Sequence, residues 1–238
     1  MTPEDLRASL ANPPDPPPPA PGELPPDKAG DILANISASY FGMRRGMALL
    51  AFAFPVILWV GGGVGDLQGS LSAYYHADGG RMRDVFVGVL WAIGAFLILY
   101  RGYSAAEDRA LDVAGVAAVA VALAPTDWPR AGPDTLVGLV HNVAAAVFFL
   151  AVAYVCVFRS GDTLAVMQDQ ERADRFRAVY RLLGLLMVLA PLVVWIVHRL
   201  LPRREEPTFL FLIEAAGVYV FAAFWTVKSR EIAILERQ

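Results

Sequence analysis

Cysteine is almost missing from this chain: there is one, Cys156, and it falls inside an apolar run. An intrachain disulfide is therefore impossible and a zinc cage built on cysteines is excluded. The thiol is expected to be packed or lipid-facing. Charge is also scarce, at 18% of residues, and the net value of -3 with a pI of about 5.6 leaves no basic surface. With no Gly-rich phosphate loop and no recognition-helix pattern, nucleic-acid binding is not expected. No apolar core follows Glu4 and Asp5, so a signal peptide is not expected and membrane targeting falls to the first span. No internal repeat supports an inverted-repeat transporter.

What is abundant is apolar. Hydrophobic residues make up 56% of the chain and the mean hydropathy is +0.47, too apolar for an ordinary soluble domain. Charge is bunched between apolar runs of 13 to 23 residues, the range in which a helix crosses a hydrocarbon core about 30 Å thick. The expected fold is all-α, a polytopic bundle of six transmembrane helices within residues 36–230. The spans are expected at about 46–64, 84–100, 113–125, 136–158, 182–197 and 208–227. Pro55 is expected to kink the first, and the small residues of the third suit close helix approach.

Nine prolines between residues 13 and 26 make 1–35 an expected disordered, solvated tail. Residues 231–238 are expected to form a short second tail. The linker 159–181, with Leu164, Met167, Phe176 and Val179 among its arginines, is expected to be partly an amphipathic helix at the membrane surface.

Orientation follows from Lys and Arg near the span ends. With the N-terminus inside, the cytoplasmic segments carry twelve and the opposite side six, so both termini are expected in the cytoplasm. The unusual polar residues then fall on the outer side. His76, Asp78 and Asp84 lie in the first outer loop and at the start of the second span, Asp127 follows the third span, His141 lies in the fourth, His198 ends the fifth and Glu214 lies in the sixth. Five residues past Leu136 and six past Thr208, His141 and Glu214 sit about 8 to 9 Å below the outer helix ends. Ionisable groups at such depth face the bundle interior with a partner. For Glu214 the candidates are His141, Tyr74, Tyr75 or Arg83. Lys228, next to Ser229 and Arg230, is expected to snorkel to the cytoplasmic interface.

The loop SLSAYYHADGGRMRD, residues 70–84, combines hydroxyls, interfacial aromatics, a histidine, a Gly-Gly turn and the helix-starting Asp84. It can be an interfacial belt with a helix cap, or one wall of an outward-facing pocket with Tyr74, Tyr75, Arg83, Asp127 and His198 as binding residues. Imidazoles and carboxylates suit Zn²⁺, whose bound water could cleave an ester or amide. There is no HxxxH or HExxH pair, so the ligands would have to converge from different helices.

Six blocks in order, SLSAYYH, RDVFVGVLWAIGAFLILYRGY, ALAPTD, HNVAAAVFF, YRLLG and EAAGVYVFAAFWTVK, resemble a group of bacterial multi-spanning proteins that share a domain of unknown function. The likeness covers most of residues 40–230. It implies the membrane architecture and a bacterial inner-membrane location, and brings no activity with it. Ser72 and His76 at a spacing of four, Asp84 at the next helix and His141 also resemble the CREST superfamily of intramembrane hydrolases, which includes the alkaline ceramidases. That likeness implies zinc held by His76, His141 and Asp84, with Ser72 and Asp84 in the catalytic group and Glu214 as general base. The chain departs from that pattern in having Ala145 where a second histidine belongs, and in lacking a seventh span.

Three readings follow. One is a non-enzymatic protein that binds a lipid or membrane partner in the outer pocket, as a sensor or assembly factor able to form a homo-oligomer. The second is a zinc-dependent lipid amidase or esterase. The third is a small-solute transporter, which the apolar cytoplasmic halves of the spans disfavour.

Overall fold

The computed structural model describes residues 26–128, 135–200 and 208–235. The chain divides into two units, Met1–Phe41 and Gly42–Gln238. In the described part of the first, residues 30–39 are helical and exposed. The proline-rich stretch 1–25 lies outside the described residues.

Among the described residues every regular element is helical. Six long helices occur: α1 (Pro26–Gly62), α2 (Arg81–Leu99), α3 (Ala105–Leu123), α4 (Leu136–Tyr154), α5 (Gln170–Leu200) and α6 (Phe209–Leu235). Five of them, all but α3, are long and apolar enough to cross a membrane. α3 carries Glu107, Asp108, Arg109 and Asp112 in its first two turns, which dilutes an otherwise apolar helix. Leu49, Leu99, Val116, Leu139, Leu185 and Leu212 are all more than half exposed. Large apolar side chains around the outside of helices whose inner faces are also apolar belong to a structure solvated by lipid. The protein is a multi-pass integral membrane protein.

The helix bounds differ from the expected spans in instructive ways. α1 begins twenty residues before the apolar run, at Pro26, because proline is tolerated in the first turn and Lys28 to Ser39 contain no further proline. α3 begins eight residues early, at a Ser-x-x-Glu cap: Ser104 Oγ accepts the Glu107 N–H at 3.3 Å while Glu107 Oε2 reaches one residue past the cap to accept the Tyr103 N–H at 3.0 Å. The linker expected at the membrane surface is a single turn, Gly161–Leu164, followed by the first three turns of α5. α6 continues past the expected end through Glu231 to Leu235.

α2 packs on α3, α3 on α4, α4 on α5 and α5 on α6. The α2/α3 crossing is close because both helices present glycine. A Cβ on Gly94 would lie 2.8 Å from the Gly115 carbonyl oxygen, and one on Gly115 would lie 2.7 Å from that of Gly94. Buried Ala114, Ala117, Ala118 and Ala122 continue the same thin face, as expected of this segment. α4 ends in one π-turn, Val155–Arg159, where Ser160 N–H reaches back to Val155 O at 2.9 Å. The connection from α1 to α2 needs left-handed backbone at Gly79 (φ 62°) and Gly80 (φ 97°), which a side chain would strain.

Candidate functional site

The loop before α2 is folded onto the start of α6. Ser70 Oγ accepts the Ala73 N–H at 3.0 Å and so starts a 3₁₀ turn, Ser72–Tyr75. Tyr74 is fully buried against Phe211, with ring centroids 5.9 Å apart, and its hydroxyl accepts the Gln68 N–H at 3.4 Å. Burial pushes that phenol above its ordinary pKa, so it stays neutral. Phe211 N–H donates to Gly69 O at 3.0 Å. Leu71 N–H donates to Glu214 Oε2 at 2.7 Å. The partner of Glu214 is thus backbone rather than His141, tyrosine or Arg83.

Behind this loop lies a cavity of about 760 Å³. Phe86, Leu90, Phe148, Phe149 and Val194 are among its apolar walls, and Ser72, His141, Glu214, Asp127 and Arg199 are among its polar members. His141 is buried in the second turn of α4. Its Nδ1 lies 2.7 Å from the Ala124 carbonyl oxygen and its Nε2 2.9 Å from Ser72 Oγ. A carbonyl can only accept, so Nδ1 carries the hydrogen. In the neutral ring Nε2 is then the acceptor, and Ser72 donates its hydroxyl proton to it.

The segment after α3 is gripped a second time two residues on: His76 Nε2 donates to Thr126 O at 2.9 Å. Asp127 accepts the Thr135 N–H at 2.9 Å and its hydroxyl at 2.5 Å, while Thr135 Oγ1 caps α4 by accepting the Gly138 N–H at 3.0 Å.

Ser72, Asp127, His141 and Glu214 therefore meet at one cavity, and several expected companions do not. Tyr74, Tyr75, His76, Arg83 and Asp84 do not line it. Arg83 stands over the Tyr75 ring at 5.0 Å and donates to the Tyr75 carbonyl at 3.2 Å. Asp84 is exposed in the first turn of α2. His198 falls in α5, and its side chain lies outside the described residues. His76, His141 and Asp84 are not assembled as zinc ligands: among the described residues no group of three or more His, Cys, Asp and Glu gathers. The reason is local, since the nitrogen pair of His141 already faces a carbonyl and a hydroxyl, and His76 is committed to Thr126.

A second polar cluster was not foreseen. Lys228 is fully buried, not snorkelling. Its Nζ donates to Thr163 Oγ1 at 2.7 Å, lies 3.5 Å from Glu231 Oε2, and sits over the Tyr103 and Tyr180 rings at 5.6 and 5.7 Å. Both oxygens of Glu231 are engaged, one by the Thr163 hydroxyl and the other by Tyr180. Arg44 and Glu107, also buried, act electrostatically on Lys228, so two cations face two carboxylates. Glu231 is seventeen residues beyond Glu214 on α6, about 25 Å along the axis, so the two clusters occupy opposite ends of the bundle. The sequence signal for it was the apolar run resuming at Ile232 after Lys228 and Glu231, a spacing of three that puts both on one helical face.

The chain matches no family model, no curated protein and no solved structure.

Proposed function

We propose that this is a six-span protein of the bacterial inner membrane, with both termini in the cytoplasm, that binds a lipid in the cavity behind the Ser72–Tyr75 loop. The observation that carries the reading is the cavity itself. Its volume of about 760 Å³ lies within the range of small-molecule sites, and its lining separates an apolar body from a few convergent polar groups. Phe86, Leu90, Phe148 and Phe149 suit acyl chain. Ser72, Asp127 and Arg199 offer a donor, an acceptor and a cation to a head group.

The orientation rests on the twofold excess of Lys and Arg on the side of both termini. It puts the cavity toward the outer leaflet and the Lys228 cluster toward the cytoplasm. The likeness of the six sequence blocks to bacterial multi-spanning proteins supports the location.

The test is photo-crosslinking of the detergent-purified full chain with a diazirine-bearing phospholipid. Peptide mapping is expected to place the adduct on cavity-lining residues, and Ala146→Trp, which fills the cavity from α4, is expected to remove it. A monodisperse protein that takes no adduct there would sink the reading.

A further inference from the structure

We infer that Ser72 is an acyl-accepting nucleophile and His141 its general base, so that the cavity cleaves a carboxylic ester of a lipid. This rests on the proposed lipid-binding role of the same cavity and adds the reaction.

Three observations meet here. The pair is within transfer distance, Ser72 Oγ to His141 Nε2 being 2.9 Å. The direction of transfer is set, because the Ala124 carbonyl 2.7 Å from Nδ1 holds the hydrogen on the far nitrogen and leaves Nε2 bare. Both side chains line a cavity, whereas a hydroxyl bonded to histidine purely for packing has no need of an open space beside it. The two residues lie 69 positions apart on different elements, so their meeting is a product of the tertiary fold.

In the step, Ser72 Oγ attacks the ester carbonyl carbon as its proton passes to His141 Nε2. The C–O bond to the alcohol then breaks, and the imidazolium returns that proton to the leaving oxygen, giving the free alcohol and acyl-Ser72. Water, deprotonated by the again neutral His141, attacks the acyl carbon. The carboxylic acid departs as Ser72 recovers its proton. The Leu71 N–H, adjacent to Ser72 in the chain, donates to Glu214 Oε2 at 2.7 Å and is the donor that the ester oxyanion takes over in exchange for that carboxyl. Ala124 acts only as a positioning group.

The experiment is labelling of the detergent-purified full chain with a fluorophosphonate probe, followed by peptide mass spectrometry. The expected result is one adduct per chain, on Ser72, formed at least about 100-fold more slowly in a monodisperse His141→Gln protein. No adduct on the wild-type chain, an adduct on another serine, or an equal rate in His141→Gln overturns the proposal. The wild-type mapping holds whether or not a variant folds. Phospholipid photo-crosslinking beside it separates the two readings. Cavity crosslinks with no Ser72 adduct would end the acyl-transfer step and leave lipid binding in place. A Ser72 adduct without crosslinks would keep the nucleophile and remove lipid as its substrate.

Discussion

Glu214 Oε2 accepts the backbone N–H of Leu71 at 2.7 Å, closing a contact across 143 residues of chain. With the Phe211 to Gly69 link, it holds the 69–75 loop on α6. Glu214→Ala leaves the Leu71 N–H without its acceptor, at a cost of about 1–3 kcal/mol where it remains buried. A lower thermal midpoint and faster proteolysis between residues 63 and 80 are expected, with Glu214→Gln recovering part of the loss through its amide oxygen. Unchanged loop proteolysis in Glu214→Ala would contradict this.

The buried Lys228 and Glu231 are predicted to behave as one unit. Lys228→Met removes one of the two cations that face the Glu231 and Glu107 carboxylates, and Glu231→Gln removes the nearer of the two carboxylates that face Lys228, so each single change should cost up to about 3–5 kcal/mol. The double variant should lose less than the sum of the two, which a double-mutant cycle on urea or thermal unfolding reads directly. Additive losses would mean that the 3.5 Å pair carries no coupling.

At the α2/α3 crossing, Gly94→Val places branched carbon where only 2.8 Å separates a Cβ position from the Gly115 carbonyl oxygen. Overpacking of about 1–3 kcal/mol or more is expected, seen as poor yield of monodisperse protein. Gly88, with nothing near its Cβ position, is the control: Gly88→Ala should be neutral or slightly stabilising. Equal behaviour of the two variants would argue against the close crossing.

The orientation can be read by thiol labelling, because the native thiol is buried and gives little background. Gly65→Cys, in the loop after α1, and Ala165→Cys, before α5, are both at exposed positions. In intact bacterial cells an impermeant maleimide should label the first and not the second. The reverse pattern would invert the proposed topology.

The membrane character and the helical class were legible in the sequence because they depend on composition along the chain. A run of about twenty apolar residues has one stable form in lipid, a helix that satisfies its own backbone. The helix ends were less legible. Ser104 and Glu107 spell a Ser-x-x-Glu cap that extends α3 beyond its apolar core, and α6 runs on through Lys228 and Glu231 because apolar residues resume behind them.

The residues singled out by chemistry stand in partnerships that the sequence did not name. Ser72, His141, Asp127 and Glu214 share the cavity lining, yet Glu214 bonds backbone and His141 pairs with serine. Hydrogen-bond partners drawn from the backbone leave no trace in residue type, so no reading of side chains could have named Leu71 or Ala124.

The sequence by itself determined that this chain belongs in a membrane and roughly which segments are apolar enough to cross it, since hydropathy is a sum over local residues. Only the tertiary structure decided that Lys228 is buried and that Ser72 meets His141. Whether a charge is paired or solvated, and which hydroxyl an imidazole faces, depends on segments tens of residues away that packing brings within 3 Å.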